Sequence, residues 1–227
     1  MFGLSPLELV AALFGAVSVW LSARQHIWSW PTAIVNVVLS AVVYYRTRLY
    51  SDAGLQVVYL VLSVYGWYEW LYGGADRTEL PVSRTPRRQL PALVVFGALG
   101  ALALGLFTTT RTDVLQHNPA WVPWVDATLT ATSLVAQWMM TRKLVENWAL
   151  WIAVDVVYVP MLAYKQLYAF AALYAVFLVL AARGHVDWWR DLRARAAAPG
   201  AAPGGGLTDH GSGVNSPSTL RYRSPVS

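Results

Sequence analysis

Polar residues in this chain sit at regular positions inside long apolar runs. The runs extend from about Leu4 to Leu21, Ile27 to Tyr45, Tyr50 to Tyr72, Leu90 to Phe107, Ala120 to Met140, Asn147 to Tyr164 and Leu167 to Ala182, which predicts seven helices. In the third, Asp52, Gln56, Tyr59, Ser63, Gly66 and Trp70 alternate at three and four residues, so one face is polar and aromatic. The fifth carries Asp126, Thr130, Ser133 and Gln137 in the same way, and the second carries Asn36. In the sixth, Trp148, Trp151, Asp155 and Tyr158 share one face, opposite Leu150, Ile152, Ala153, Val154 and Val157, which suit lipid or packed neighbours. The fourth run has no polar residue before Thr108; Gly97, Ala101 and Gly105 form a small-residue stripe that lets another helix approach closely.

Composition turns these helices into membrane spans. Of 227 residues, 56% are hydrophobic and 13% charged, where soluble domains carry about 25% charged residues. The uncharged fourth run has the length that begins to cross roughly 30 Å of hydrocarbon. The expected class is an all-α polytopic membrane protein. The first run starts without a basic segment and carries Glu8, so it reads as a retained helix rather than a signal peptide. Cysteine is absent, the four histidines are scattered, and neither H-E-x-x-H nor a phosphate-binding G-x-x-x-x-G-K-[ST] occurs, which argues against metal, redox and nucleoside triphosphate chemistry. No catalytic residue and no cofactor is expected.

An ungapped internal repeat sets the domain organisation. At an offset of 118, Trp20, Arg24, Trp30, Leu49, Tyr50, Gly66 and Trp70 meet Trp138, Arg142, Trp148, Leu167, Tyr168, Gly184 and Trp188. Three spans per repeat would leave directly fused halves in opposite orientation, so a linker span restores them to parallel. The expected division is a first three-helix repeat over 4–72, a cytoplasmic loop over 73–89, a linker helix over 90–108, a second repeat over 120–183, and a basic segment with a disordered tail over 184–227. Within the tail, Val186 to Ala196 reads as a basic, aromatic stretch lying at the headgroups. With the N-terminus outside, only Arg46, Arg48, Arg111 and Lys165 of the 17 basic residues fall on the outer side, in keeping with the positive-inside rule. Parallel repeats about an axis along the membrane normal form a transporter architecture with substrate near the midplane.

The expected substrate-binding residues are Trp151, Trp148, Asp155, Asn147, Gln137, Asn36, Gln56 and Tyr158. A carboxylate at a helix centre costs about 2.5–3.5 kcal/mol in lipid, so Asp155 should face a cavity or a partner. Aromatic rings, a carboxylate and amides together suit a flat, cationic, hydroxylated molecule. Asn147 reads equally well as a helix cap, and Glu8 and Asp126 as solvated carboxylates near the outer mouth.

The motifs W-P-T-A-I-V-N, L-Y-S-D-A-G-L-Q-V-V-Y, Y-G-W-Y-E-W and N-W-A-L-W-I-A-V-D resemble those of the PnuC family of bacterial vitamin transporters, best known for nicotinamide riboside. The resemblance covers roughly Leu4 to Trp189. It implies a three-plus-one-plus-three fold like a full-length SWEET transporter, a homotrimer in the bacterial inner membrane, and facilitated diffusion of nicotinamide riboside for NAD biosynthesis, with trapping by a separate cytoplasmic kinase. It also implies that the tryptophan-rich binding motif falls on Asn147, Trp148, Trp151 and Asp155, and the binding glutamine on Gln56. Glu146 departs from the aromatic or neutral residue expected before Asn147. The rival substrates are thiamine and riboflavin on the same fold, and the rival class is an intramembrane enzyme.

Overall fold

The computed structural model describes residues 5–110 and 121–197. These form seven α-helices: α1 (Pro6–Ala23), α2 (Ser29–Arg46), α3 (Tyr50–Tyr72), α4 (Leu90–Thr109), α5 (Trp121–Thr141), α6 (Asn147–Tyr164) and α7 (Tyr168–Ala197). α1 begins at a reciprocal cap, in which the Ser5 amide donates to the Glu8 carboxylate at 2.6 Å and the Glu8 amide donates to Ser5 Oγ at 3.3 Å. The short turns after α1, α2, α5 and α6 each reverse through one residue of positive φ, namely Gln25 (55°), Arg48 (61°), Lys143 (48°) and Gln166 (59°).

α1, α4, α6 and α7 are long and apolar enough to cross a membrane by length and composition. The other three helices carry their polar faces into a shared interior, as an all-helical, polytopic membrane protein requires. Neighbours pack in the order α1, α2, α3, α5, α6, α7 and back to α1, so six helices close a ring, while α4 lies outside it against α5. The predicted small-residue stripe works there with one change of residue. A Cβ on Gly97 would stand 3.5 Å from Val135, one on Gly100 would stand 3.4 Å from Ala131, and Gly105 lies under the Trp124 ring.

The end of the ring remote from the α1 N-terminus is closed by four tryptophans. Trp30 and Trp70 meet edge to face at 5.3 Å, Trp148 and Trp188 do so at 5.4 Å, and Trp70 and Trp188 join the pairs at 5.9 Å. Each pair relies on a glycine of the adjacent helix, Gly66 beneath Trp30 and Gly184 beneath Trp148. Trp70 Nε1 donates to the Met140 carbonyl at 3.0 Å, and Trp188 Nε1 to the Ser22 and Ala23 carbonyls at 3.2 Å. Trp188 is fully buried. That burial corrects the reading of Val186 to Ala196 as a separate headgroup segment: α7 continues through it to Ala197, a helix of about 45 Å at 1.5 Å per residue. The expected disordered tail, with Arg221 and Arg223, lies outside the described residues, as does Arg111.

The segment between α3 and α4 crosses this closed end. The Ser83 amide donates to the Lys143 carbonyl at 3.1 Å and the Val145 amide to the Ser83 carbonyl at 2.9 Å, forming one parallel bridge, and Val82 is buried beneath it. Thr85 donates to the Glu146 carboxylate from its amide at 2.9 Å and its hydroxyl at 2.7 Å, with Arg84 at 3.6 Å. Glu146, the residue that departs from the family pattern, is therefore the anchor of this strap.

Alanine at Gly184 would bring a Cβ to 2.7 Å from the Trp148 ring, and Gly66 is as tightly covered by Trp30. Overpacking of about 1–3 kcal/mol outweighs the helix-propensity gain of about 0.5–1 kcal/mol. Gly66→Ala and Gly184→Ala are expected to lower the apparent melting temperature in detergent, whereas Gly54→Ala, which meets nothing within 4 Å, should raise it slightly. Glu146→Ala removes the one carboxylate oxygen that accepts from both the amide and the hydroxyl of Thr85, two charge-assisted bonds of about 1.5–3 kcal/mol each before solvent screening. Trypsin should then cut after Arg84, Arg87 and Arg88 faster than in the unaltered protein.

Candidate functional site

The ring encloses a cavity of about 450 Å³ that opens at the end bearing the α1 N-terminus and stops at the tryptophan cluster. Its wall is assembled by the helical periodicities read from the sequence. Asp52, Gln56, Tyr59 and Ser63 descend one face of α3; Asp126, Thr130, Ser133, Gln137 and Met140 descend one face of α5; Trp148, Trp151, Asp155 and Tyr158 ascend one face of α6. Seven of the eight predicted site residues, Trp151, Trp148, Asp155, Gln137, Asn36, Gln56 and Tyr158, line this one space.

The eighth, Asn147, does not line it. Asn147 is fully buried at the start of α6, where its Nδ2 donates to the Leu144 carbonyl at 2.5 Å. It therefore serves the turn between α5 and α6. Val154, on the side of α6 expected to meet lipid or packed neighbours, is packed against Leu129 and Met161 and also reaches the cavity. Ala153 and Val157 do lie exposed.

Asp155 is the most unusual member. It is 3% exposed and makes no hydrogen bond or ion pair among the described residues. A buried carboxylate left without a partner carries an energetic penalty that an incoming cation or donor relieves. Gln56 and Gln137 are likewise free to donate and accept, whereas Asn36 Nδ2 already donates to the Ala11 carbonyl at 2.7 Å, which leaves its amide oxygen for other partners. No lysine, arginine or histidine among the described residues lines the cavity.

The aromatic members fall into two groups. Trp148 is packed edge to face on Trp188 and is 1% exposed, so it forms a fixed floor together with Trp30, while Trp151 stands half-buried one turn further toward the opening. Tyr158 donates to the Asp126 carboxylate at 3.2 Å and packs on Tyr174 at 4.9 Å, and Tyr174 in turn meets Phe177 at 5.7 Å. Tyr174, Phe177 and Phe170 of α7 also line the cavity. Hydrophobicity alone does not separate an aromatic that faces the cavity from one that faces lipid. The sequence offers a signal for one of them, since Tyr174 lies 118 residues after Gln56, the offset of the expected repeat.

A flat molecule with a positive charge and several hydroxyls finds in this cavity a ring to stack on, a carboxylate without a partner and free amides. Nothing in the described wall offers a counter-charge to a phosphate.

Known proteins resemble this chain in sequence and in fold. The sequence model of the nicotinamide mononucleotide transporter family matches residues 5–190. The nicotinamide riboside transporter PnuC of Escherichia coli is 27% identical over 216 residues, covering 86% of this chain and 89% of that protein. The riboflavin/roseoflavin transporter RibM of Streptomyces davaonensis is 29% identical over 192 residues, covering 83% of this chain and 85% of that one. The crystal structure of the vitamin B3 transporter PnuC superposes with a TM-score of 0.61 at 24% identity over 83% of this chain and 82% of that one, so the fold is shared. The chain belongs to the nicotinamide mononucleotide transporter family, a family of membrane transporters rather than enzymes.

Proposed function

We propose that the protein carries nicotinamide riboside down its gradient across the bacterial inner membrane, for NAD biosynthesis. The observation that carries this reading is the unpartnered, buried Asp155 beside Trp151 in a cavity without a basic residue among the described ones. Trp151 stacks the pyridinium over the floor made by Trp148. Asp155 faces the charge or a ribose hydroxyl, and Gln56, Gln137 and the Asn36 oxygen bond the ribose and carboxamide. The uncompensated carboxylate disfavours the phosphorylated mononucleotide, whose phosphate would meet like charge at close range. Riboflavin is the second reading, favoured by the similarity to RibM; its hydroxyls can donate to Asp155, but it is uncharged and supplies no cation to that carboxylate.

The transport cycle rests on two parallel three-helix repeats, α1–α3 and α5–α7, joined by α4, with seven spans, the N-terminus outside and a homotrimer as the working unit. A separate kinase phosphorylates the imported product. Matching geometry at equivalent positions supports the repeats: Trp30 on Trp70 and Trp148 on Trp188 are both perpendicular, and the positive-φ turns at Gln25 and Lys143 correspond, as do those at Arg48 and Gln166. Trp70 and Trp188 each donate to a carbonyl of the other repeat, and the acceptors Ser22 and Met140 are themselves equivalent.

The two seams between repeats differ. Across the α3–α5 seam, Arg142 Nη1 pairs with the Glu69 carboxylate at 2.8 Å and donates to Tyr65 Oη at 3.1 Å. At the α1–α7 seam the equivalent Arg24 stacks on Trp20 at 4.8 Å and Asp187 pairs with Arg190 at 3.6 Å. Rocking between outward-open and inward-open states must separate a seam at the closed end, and the Glu69–Arg142 pair resists this.

Trp151→Ala and Asp155→Asn are expected to lower nicotinamide riboside uptake by proteoliposomes at unchanged expression. Cation–π stacking of about 0.5–2 kcal/mol corresponds to roughly 2–30-fold in affinity. Wild-type uptake by either variant would remove the site. A thermal-shift comparison of nicotinamide riboside with riboflavin and thiamine separates the substrates, since a ligand at 100 times its Kd adds about 2.7 kcal/mol of stability. Because the chain has no cysteine, Ser22→Cys at the cavity floor gives a single reporter. Adding Glu69→Gln should speed its labelling from the closed side.

A further inference from the structure

We propose that Glu8, Asp52 and Asp126 form a charge filter at the open end of the cavity, which draws in cations, holds back anions and gives no help to neutral molecules of similar shape. The inference rests on the nicotinamide riboside reading and adds to it a selectivity rule and the residues that impose it. Three helices that follow different courses through the chain, α1, α3 and α5, each place one carboxylate in the turns nearest the opening. None of the three forms an ion pair among the described residues. Glu8 and Asp126 occupy equivalent positions, so both halves of the mouth are acidic, whereas Asp52 corresponds to Phe170.

Asp155 is the independent sign that this acidity serves a ligand. It lies deeper on the same path, is 3% exposed, and has neither hydrogen bond nor ion pair among the described residues. A passage with carboxylates at its rim, a further carboxyl group without a partner inside, and no basic residue in its described wall presents acidic groups and no cation to what enters it. Low-dielectric helix walls focus the field of the rim carboxylates and raise the local concentration of counter-ions, accelerating association by about 10–10³-fold at low salt. Asp126 is also tied to the aromatic column through Tyr158 Oη at 3.2 Å, so the filter adjoins the stacking surface.

The test compares two forms of one molecule, nicotinamide riboside, which is a cation, and its 1,4-dihydro form, which is neutral, in proteoliposomes of the full chain. The variant is Glu8→Gln, Asp52→Asn and Asp126→Asn combined. Glutamine at position 8 can still accept from the Ser5 amide, and asparagine at 126 from Tyr158, so helix capping and packing are retained. At low salt the variant is expected to lose about tenfold or more in kcat/KM for the cation, the lower end of electrostatic steering, with the neutral form unchanged. The difference from the unaltered protein should shrink toward 1 M salt, where the Debye length falls to about 3 Å.

Unchanged cation uptake, or an equal fall for both forms, would overturn the filter. If the unaltered protein carries neither form, the nicotinamide riboside reading falls, and the filter is then judged with thiamine, a cation, against riboflavin, which is neutral. A loss confined to thiamine supports it, and an equal loss or none overturns it.

Discussion

Four tryptophans at one end of the helix ring hold the structure together and decide where its cavity stops. Trp70 and Trp188 lie fully buried, cross the seams between helix groups, and direct their only polar atoms to carbonyls of the opposite group. In Trp70 and Trp188 an indole joins a large apolar area to a single donor that finds an acceptor, whereas Nε1 of Trp30 and of Trp148 is buried without a hydrogen-bond partner and these rings serve by packing. Gly66 and Gly184 are the necessary counterparts, since a side chain at either position would occupy the space of the Trp30 or Trp148 ring. The floor of the cavity and the junction of α1–α3 with α5–α7 are therefore one packed cluster.

Placing polar groups in a membrane constrains the rest. Lipid cannot satisfy Asp155, Gln56 or Gln137, so the helices that carry them must face one another, and the closed ring is the arrangement that lets all of them do so. α4 carries no such residue and stays outside the ring, held through glycines that allow close contact with α5. The strap through Ser83 and Thr85 then covers the tryptophan end. Charge is sorted along the same axis. Carboxylates line the open passage, while the strap and the closed end carry Arg84, Arg142 and Lys143, the last of these over the Trp70 ring at 4.4 Å.

Much of this is legible in the amino-acid sequence because helical periodicity is local. The three-and-four spacing of Trp148, Trp151, Asp155 and Tyr158 places them on one face whatever surrounds the helix, and the same holds for Asp52 to Ser63 and Asp126 to Gln137. The bounds of α3 and α6 coincide with the apolar runs that predict them. The offset that pairs Trp30 with Trp148 and Gly66 with Gly184 singles out residues of the closed end without any reference to their contacts.

Packing decides the matters that depend on which helices meet. Asn147 belongs to a turn instead of the cavity wall because α5 ends directly against it. Val154 is buried because α5 covers that side of α6, and Tyr174 and Phe177 face inward because α7 closes the ring. α7 runs on past Ala182 because Trp188 has a core to enter, a reason no local composition contains. Glu146, an anomaly in the motif, acquires its purpose only when Thr85 arrives from 61 residues away. The order of residues settled which faces each helix presents; assembly settled what those faces touch, because a contact depends on two surfaces and periodicity describes only one.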